Sequence, residues 1–152
     1  MSDKTYRQVL AVGVFDLFHV GHLRYLEYAK SQGRHLVVGV TPDNICFKYK
    51  HKRPVINELE RLEIVNGLRC VDQSHFIPTS TEVTEASIIW IQEWEIDLVV
   101  AGGNWKASER WQRLGKGLAE KGIDVIFAPH TVGISTTELT LRIRDNTKAP
   151  NL

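Results

Sequence analysis

The sequence "QVLAVGVFDLFHVGH", residues 8–22, contains both patterns from which the fold can be predicted. Its first half is an almost continuous apolar run rich in valine, which is typical of a strand buried on both faces of a sheet. Its second half opens residues 20–33, where apolar residues recur three apart as they do along one side of a helix. The sequence therefore predicts a buried strand that runs directly into a helix.

The same two patterns alternate along the rest of the chain. Four more short apolar runs predict strands at residues 35–41, 75–78, 97–103 and 124–129. Four more amphipathic segments predict helices at residues 57–69, 84–95, 108–122 and 135–144. Five strands that alternate with helices predict an α/β fold, a Rossmann-like, doubly wound parallel five-stranded sheet with helices on both faces.

Capping residues support the predicted helix ends. Asn57 has Glu60 three residues on, and Ser135 has Glu138 three residues on, which is the capping-box spacing. Gly33 follows the first predicted helix and is placed as a C′ glycine. These signals give each of the three helices a predicted start or end.

Length and composition limit the class of protein. The chain has 152 residues without an internal repeat or a long linker, so a single domain over residues 1–152 is expected. Apolar residues make up 43% and charged residues 24%, as in ordinary soluble globular proteins. A net charge of +1 provides no general attraction to nucleic acid, so we expect a small anion as ligand and no nucleic-acid partner.

The chain shows no sign of secretion or membrane insertion. Its apolar runs are too short to cross a bilayer, and the first eight residues lack a signal-peptide pattern, so a cytoplasmic location is expected. Cys46 and Cys70 lack the CxxC spacing of a zinc site or a disulfide framework. We interpret both as ordinary small apolar residues.

Two histidines lie where the first strand becomes a helix. In parallel α/β folds, ligands bind at the carboxyl ends of the strands, and a helix N-terminus favours phosphate. His19 and His22 share a face at such an N-terminus, and Gly21 between them leaves the backbone open to a ligand. The residues alone leave two alternatives, a pair that binds phosphate or a pair of surface or capping histidines; a zinc site lacks a third ligand nearby.

The segment "GVFDLFHVGH", residues 13–22, resembles a signature of the cytidylyltransferase-like nucleotidyltransferases, in which a strand ending in G-x-F-D runs into HxGH. The segment 129–145, which contains "GISTT", resembles the second signature of that family, R-T-x-G-x-S-T-[TS]. The resemblance covers about residues 8–145. It implies that His19 and His22 are catalytic, contacting the nucleotide phosphates and stabilising the transition state at the α-phosphate. It also implies nucleotide-binding roles for residues of the two signatures: Gly13, Phe15, Asp16, Gly21, Gly133, Ile134, Ser135, Thr136 and Thr137.

The middle of the chain, residues 53–73, is similar to the same segment of family members such as glycerol-3-phosphate cytidylyltransferase, which the chain resembles most, and heptose-phosphate adenylyltransferase. In that family a lysine from the preceding loop reaches the phosphates, and arginines on the helix help to bind phosphate. By position, Lys50 or Lys52 is that lysine, with Lys48 as a third candidate, and Arg61 and Arg69 are the arginines. Without the resemblance, residues 48–53 would be interpreted as a solvated basic loop.

Two positions depart from the family pattern. His130 stands where the second signature has arginine, and an imidazole cannot replace the bidentate guanidinium. In "AGGNW", residues 101–105, Gly102 and Asn104 match a nucleotide-binding stretch that is G-D-D-W in glycerol-3-phosphate cytidylyltransferases. Asn104 can both donate and accept hydrogen bonds, which leaves the base open. Trp105 and Trp111 either stack on a ligand or anchor a helix in the core, and Trp111 is not assigned to the site.

The resulting hypothesis is a nucleotidyltransferase that moves CMP from CTP to a small phosphorylated or phosphonylated alcohol, such as glycerol 3-phosphate, and releases pyrophosphate. The resemblance implies Mg²⁺ bound with the triphosphate and a homodimer. Asp16 either positions that ion through water or caps its loop, and no residue is assigned to a dedicated metal site. The alternatives are an adenylyltransferase that uses ATP on a sugar phosphate or cofactor precursor, and a nucleotide-binding regulator without turnover.

Overall fold

The computed structural model describes residues 6–131 and 133–148, so part of the N-terminal stretch examined for a signal peptide lies outside the described residues. Within these residues there are five strands, β1 Tyr6–Gly13, β2 Gly33–Val40, β3 Gln73–Phe76, β4 Leu98–Ala101 and β5 Asp124–Phe127. The same described ranges contain six α-helices, α1 Val20–Ser31, α2 Asp43–Lys50, α3 Glu58–Asn66, α4 Thr84–Glu93, α5 Glu109–Ala119 and α6 Thr136–Lys148. A short 3-10 helix, Gly103–Trp105, follows β4.

The strands form one sheet in the order β3-β2-β1-β4-β5, and every neighbouring pair is parallel. The helices cover both faces. One buried cluster joins β1 and β2 to α1 and α3 through residues such as Leu26 and Val65. The other joins the opposite face to α4 and α5 through residues such as Ile91 and Leu114. The predicted fold class is confirmed. None of the helices that the structure describes is long and apolar enough to cross a membrane.

The order of strands reverses at β1, since the chain crosses to β2 on one side and reaches β4 on the other. Such a reversal opens a crevice at the carboxyl ends of the two strands. The pairing of β1 with β4 extends to Ala11 and Val100. Just beyond it, the hydroxyl of Tyr25 accepts from the amide of Val12 at 3.2 Å and donates to the carbonyl of Val100 at 2.6 Å. Tyr25 thereby supplies the hydrogen bonds where the two strands separate.

The structure corrects one sequence-based prediction of local conformation and refines another. Residues 48–50 belong to helix α2, not to a loop, and the helix ends at His51 in a left-handed conformation with φ 55°. Gly33 follows the C-cap Gln32 and so occupies the predicted C′ position, but it lacks the left-handed conformation usual there and already begins β2. A Cβ at Gly33 would lie 2.5 Å from Val9 Cγ2, so close packing against β1 explains the glycine.

Candidate active site

A cavity of about 890 Å³ lies at the carboxyl edge of the sheet, over the crevice between β1 and β4. Its volume falls in the range of pockets that bury ligands of nucleotide size, roughly 300–1,000 Å³. The structure brings most of the predicted site residues together here. Those that line it are His19, His22, Lys50, Lys52, Gly13, Phe15, Asp16, Gly21, Gly102, Asn104, His130, Ile134, Ser135, Thr136 and Thr137.

His19 and His22 begin helix α1 as a reciprocal capping box. The amide of Gly21 donates to Nδ1 of His19 at 3.0 Å, and the amide of His19 donates to Nδ1 of His22 at 3.2 Å. The two rings stack with centroids 3.8 Å apart and planes 23° from parallel. The histidines are therefore capping residues and a paired group that faces the cavity at the same time.

In its neutral form, each ring is held in one tautomer. Because each Nδ1 accepts a backbone hydrogen, the proton of each neutral ring must lie on Nε2. Burial lowers the pKa of His22 to about 4, with a further lowering by the neighbouring His19, against the opposing charge of Asp16. Burial also lowers the pKa of His19. At neutral pH the pair thus presents two neutral rings, each with an Nε2–H donor.

Gly13 and Gly21 leave room for aromatic rings of the site. A Cβ at Gly21 would lie 2.9 Å from Cε1 of His19 and 3.2 Å from Cγ2 of Ile134. A Cβ at Gly13 would lie 2.9 Å from the ring of Phe15, which itself packs edge-on to His22 at 5.5 Å. Phe15 takes the left-handed conformation, φ 58°, that turns its ring back under β1. Gly13 and Gly21 are therefore positions where a side chain would displace an aromatic ring of the site.

Asp16 fastens the loop that precedes helix α3. Its carboxylate accepts the amides of Val55 at 2.8 Å and Ile56 at 2.9 Å, and also the amide of Leu17 at 3.1 Å. Its carbonyl accepts from Oγ1 of Thr136 at 2.9 Å, at the start of helix α6. Of the two alternatives left open by the sequence, the described contacts of Asp16 match the loop cap.

The N-terminus of helix α6 borders the same cavity. Oγ of Ser135 accepts the amide of Glu138 at 3.0 Å, which confirms Ser135 as the N-cap. Ile134, Thr136 and Thr137 also line the cavity at this end. Gly133 does not line it; with φ +84°, it makes the turn that leads the chain into the helix. The free amides of this first turn provide a second position for an anion, opposite the start of α1.

The basic segment before helix α3 contributes several charges. Lys50 is the last residue of α2 and lines the cavity, as do Lys52 and Arg53, whereas Lys48 does not. Arg53 belongs to the basic cluster of the sequence but is not among the predicted site residues. Arg144, which lines the cavity from helix α6, is likewise absent from them. The signal for Arg144 was its spacing from Thr137 and Thr140, which places all three residues along one side of a helix.

Arg61 does not line the cavity, contrary to the prediction. Its side chain is fully buried, and its donors are used by carbonyls of Val14, Thr41 and Ile56 and by the carboxylate of Asp43, at 2.6 to 2.9 Å. Asp43 in turn accepts the amide of Glu58, and Glu58 accepts the amide of Asp43. Arg61 is thus the centre of a network that joins the N-termini of α2 and α3.

Arg69 is not at the cavity either. It is exposed and lies between the end of α3 at Asn66 and the start of β3 at Gln73. A helix that connects two parallel strands runs antiparallel to them, so its C-terminal end reaches the amino edge of the sheet. Arg69 is therefore at the edge opposite the cavity.

Asn104 and His130, the two departures from the family pattern, are both exposed and both line the cavity. Trp105 lines it beside Asn104, and the guanidinium of Arg110 lies over its ring at 4.5 Å. Trp111 is buried in the core on the other side of the sheet, 6% exposed, which matches the interpretation as a helix anchor. Gly103 allows β4 and β5 to approach, because a Cβ there would lie 2.3 Å from the carbonyl oxygen of Ala128.

The cavity is cationic although the whole chain carries only +1. Among the lining residues that the structure describes, Asp16 has the single carboxylate, and backbone amides occupy it. Within residues 6–131 and 133–148, no group of three or more histidine, cysteine or carboxylate side chains is placed to hold a metal ion. Two helix N-termini, two Nε2–H donors and several cations suit a polyphosphate, and the arrangement can stabilise charge that develops on a phosphoryl group. Lining cations are Lys50, Lys52, Arg53 and Arg144.

Comparison with known proteins agrees with this geometry. Residues 10–142 match the family described as cytidylyltransferase-like. A glycerol-3-phosphate cytidylyltransferase from Bacillus spizizenii is 33% identical over 88% of this chain and 94% of its own length. An FAD synthase from Methanocorpusculum labreanum is 32% identical over 88% of this chain and 91% of its own. The bifunctional protein HldE from Coxiella burnetii is 34% identical, but the chain spans only 26% of that protein.

Solved structures are similar in the same way. The lipopolysaccharide core biosynthesis protein from Thermoplasma volcanium superposes with a TM-score of 0.68 at 26% identity, covering 83% of this chain and 98% of that protein. Pantothenate synthetase from Thermus thermophilus superposes with a TM-score of 0.59 at 14% identity, covering 97% of this chain and 66% of that one, and this likeness concerns the fold alone.

Proposed function

The chain belongs to the cytidylyltransferase-like family of nucleotidyltransferases, and on that basis we propose that it transfers CMP from CTP to a small phosphorylated or phosphonylated alcohol such as glycerol 3-phosphate. The observation that carries the proposal is the stacked pair His19 and His22, fixed by the start of α1 with both Nε2–H groups available in a cationic cavity. Such donors support a developing phosphoryl charge without acting as nucleophiles.

In the proposed reaction, an oxygen of the acceptor's phosphate attacks the α-phosphorus of CTP. The bond from that phosphorus to the oxygen bridging the α- and β-phosphates breaks, and pyrophosphate leaves with its electron pair. His19 and His22 donate from Nε2 to the oxygens of the reacting phosphate. Lys50 and Lys52 neutralise the triphosphate, and the first turn of α6 holds its outer phosphates, where its amides are free. Positioning and charge stabilisation of this kind are what phosphoryl-type transfers require.

Mg²⁺ enters the proposal as part of the substrate. A triphosphate is normally bound as its magnesium complex, in which phosphate oxygens and water supply most ligands. The carboxylate of Asp16 accepts three backbone amides, so it fits the role of a loop cap better than that of a ligand. The residues around the cavity therefore suit a metal that arrives with the nucleotide.

A second candidate is adenylyl transfer from ATP. Its supporting observation is Asn104, exposed at the cavity where an acidic residue would favour cytosine, since the amide can pair with either base. The preference for CTP follows the slightly stronger of two full-length likenesses: the glycerol-3-phosphate cytidylyltransferase matches at 33% identity over 94% of its length, and the FAD synthase at 32% over 91% of its own. The homodimer and the cytoplasmic location stay predictions.

The test is to incubate the chain with each of the four nucleoside triphosphates, MgCl₂ and glycerol 3-phosphate, following pyrophosphate and identifying the product by mass spectrometry. We expect turnover with CTP, and a loss of at least about 100-fold when His22 is replaced by asparagine, the magnitude typical of lost transition-state donors. Lys50→Ala should reduce turnover, while Lys48→Ala, a change outside the cavity on the same helix, should not.

Three outcomes would contradict the proposal in different ways. Turnover with ATP alone would assign the adenylyl alternative. Tight binding of CTP with no pyrophosphate from any acceptor would indicate a regulator. Unchanged turnover in His22→Asn would remove the histidine pair from the mechanism.

A further inference from the structure

Tyr25 lines the large cavity, but the proposed function gives it no role. It follows His22 by three residues on helix α1, so the two side chains lie on the same side of the helix. A phenylalanine at this position would fill nearly the same apolar space. The hydroxyl group of Tyr25 therefore needs an explanation of its own.

This hydroxyl lies between two strands of the sheet. It accepts from the amide of Val12 at 3.2 Å and donates to the carbonyl of Val100 at 2.6 Å, with the carbonyl of Val12 also 3.2 Å away. Burial raises the pKa of Tyr25, so its hydroxyl stays protonated at neutral pH. Because its single hydrogen is used by the backbone, the hydroxyl has no proton to donate to a ligand.

The bonds of this hydroxyl lie where the sheet opens into the cavity. In the described part of the chain, the pairing of β1 with β4 ends at Ala11 and Val100. Beyond that pair, β1 leads to His19 and His22, and β4 leads to Asn104, all of which line the cavity. The hydroxyl is bonded to both strands at this point, so it sets the distance between the two segments that follow them.

The ring of Tyr25 supports the histidine pair as well. It stacks on the ring of Phe15 with centroids 6.4 Å apart and planes 20° from parallel. Phe15 packs edge-on to the ring of His22 at 5.5 Å, and Phe18 contacts the same ring at 5.2 Å. Tyr25 is therefore connected to His22 through Phe15 in addition to the helix backbone.

The distance between the two segments affects the proposed reaction directly. In that reaction, His19 and His22 donate to the reacting phosphate, while Asn104 faces the base of the same nucleotide. A displacement of about 1 Å between reacting groups can lower a rate by about 100-fold. Because the backbone ladder between β1 and β4 ends below the cavity, a side-chain contact is needed to fix this distance.

We propose that Tyr25 is a positioning residue for the nucleotidyl transfer, because its hydroxyl fixes the separation of β1 and β4 and thereby the distance between the histidine pair and Asn104. The inference rests on the proposed function and adds to it a residue outside both family signatures. Tyr25 touches no reacting atom, so it acts through His22 and through the end of β4.

The first experiment compares Tyr25→Phe with Tyr28→Phe as matched control. Tyr28 is on the same helix and partly buried against the same core cluster, and none of the hydrogen bonds among the described residues involves its hydroxyl. We measure kcat and KM for CTP with glycerol 3-phosphate, at a temperature where circular dichroism shows each variant to be folded. In Tyr25→Phe, kcat should fall about tenfold and KM for CTP should stay within about threefold, because misalignment affects the reacting phosphate more than binding.

Tyr28→Phe should keep both constants. A residue with only a structural role would lower the unfolding temperature and leave kcat of the folded chain unchanged. That result, a change in KM alone, or an equal fall of kcat in Tyr28→Phe would overturn the inference while leaving nucleotidyl transfer intact. If the unmodified chain released no pyrophosphate with any nucleoside triphosphate and acceptor, the proposed function would be refuted, and this inference with it.

The second experiment is a double-mutant cycle of Tyr25→Phe with Asn104→Ala. Asn104→Ala should lower kcat in the unmodified chain and lower it much less once the hydroxyl of Tyr25 is absent. We expect the loss of kcat in the double variant to be about fivefold smaller than the product of the two single losses, whereas independent sites give that product. The cycle of Tyr28→Phe with Asn104→Ala should give the product.

This cycle separates positioning from a general loss of stability, which would not depend on Asn104. Independent losses in the Tyr25 cycle would overturn the coupling between the two sides of the crevice. An unchanged kcat in Asn104→Ala alone would overturn it too, because the segment after β4 would then not affect the reacting phosphate.

Discussion

At the scale of single residues, the histidine pair combines a structural and a proposed chemical role. The Nδ1 atoms of His19 and His22 accept the amides that start α1, and burial lowers the pKa of both rings. Protonation of either Nδ1 would remove an acceptor from the capping box. The stability of the fold is therefore linked to the titration of these two residues.

The linkage has a definite sign. His22 has a folded pKa of about 4 against an ordinary value of 6.5, so the unfolded chain binds more protons between these two values. The contribution of neutral His22 to the free energy of unfolding is complete above pH 6.5 and is lost as the pH falls toward 4. Between pH 7.5 and 5 we expect His22 to account for about 1–2 kcal/mol of lost stability, since one pKa unit corresponds to about 1.4 kcal/mol.

Urea unfolding of the chain and of His22→Asn at both pH values measures this contribution. The asparagine Oδ1 can still accept the amide of His19 but does not titrate, so the variant should lose less stability on acidification by that amount. Equal losses in the two proteins would mean that His22 is not the titrating group.

At the scale of elements, Asp16 joins three segments, the loop before α1, the loop before α3 and the start of α6. Asp16→Asn places an NH₂ group against at least one backbone amide, which should destabilise the fold by about 1–3 kcal/mol. Because the loop so released carries Lys52 and Arg53, KM for CTP should rise as well. Chemical denaturation and steady-state kinetics measure the two effects.

The matched control for Asp16 is Asp72, a carboxylate that accepts the amide of Leu36 at 2.7 Å and pairs with Lys30 at 2.6 Å near the amino edge of the sheet. Asp72→Asn should also destabilise the chain but leave KM for CTP unchanged. If both variants raised KM equally, the effect would come from general instability and not from the loop at the cavity.

A substitution at Gly103 tests how closely the carboxyl ends of β4 and β5 must approach. Alanine there would place its Cβ 2.3 Å from the carbonyl oxygen of Ala128, so the carboxyl ends of β4 and β5 must move apart. We expect a loss of about 1–3 kcal/mol, as for other overpacked sites, and a higher KM for CTP because Gly102 and Asn104 would shift. Thermal unfolding and kinetics measure both.

Gly115 on α5 serves as the comparison, since its Cβ would be 3.9 Å from Val125 Cγ2, an ordinary contact. Gly115→Ala should stabilise the chain by about 0.5–1 kcal/mol, the usual gain of alanine over glycine inside a helix. A destabilising Gly115→Ala would show that α5 does not tolerate a side chain at this position.

The elements that the sequence predicted correctly are those with a clear period. All five strands and the five periodic helices lie within a few residues of their predicted bounds, because apolar runs and helical spacing report directly on burial. Helix α2 was missed because its neighbouring apolar residues Ile45, Cys46 and Phe47 have no helical period, and only Cys46 is buried. Its left-handed end at His51 uses a residue type that gives no stop signal.

The positions of site residues could be predicted where a sequence motif fixes the backbone. They could not be predicted for long side chains, whose contacts depend on the tertiary fold. The histidines and the start of α6, which the two signatures single out, both line the cavity. The sequence predicts a phosphate contact for Arg61 because it does not show which groups will bind the guanidinium. Those groups belong to Val14, Thr41 and Asp43, which are distant along the chain. Arg69 follows the C-terminal end of a helix that runs antiparallel to the strands, so it lies at the amino edge of the sheet. The similarity to the family segment does not show this.

At the scale of the whole molecule, charge is distributed unevenly. The net charge is +1, yet the large cavity is lined by cations from α2, the following loop and α6. CTP with Mg²⁺ should therefore stabilise the whole fold by mass action, by about 2.7 kcal/mol at one hundred times its Kd. For a domain of this size that corresponds to a rise in Tm of roughly 5–10 °C.

Differential scanning fluorimetry with CTP, cytidine and pyrophosphate separates the contributions of base and phosphates. Cytidine should shift Tm far less than CTP, and the CTP shift should shrink in Lys50→Ala and as salt rises, since exposed charges are screened. An equal shift by cytidine and CTP would show that the cations of the cavity do not drive binding.

The capping box at the start of α1 has a consequence for the energetics of turnover. Because the amides of His19 and Gly21 already occupy both Nδ1 atoms, the rings need no tautomer exchange and no rotation when a triphosphate arrives. Unconstrained histidines would have to reorient in each catalytic cycle, which costs reorganisation energy. Here the rings are already oriented when the helix folds. The first turn of α1 thus keeps the site preorganised. The hydrogen-exchange rates of its amides would report how often these hydrogen bonds open and the two rings lose their orientation.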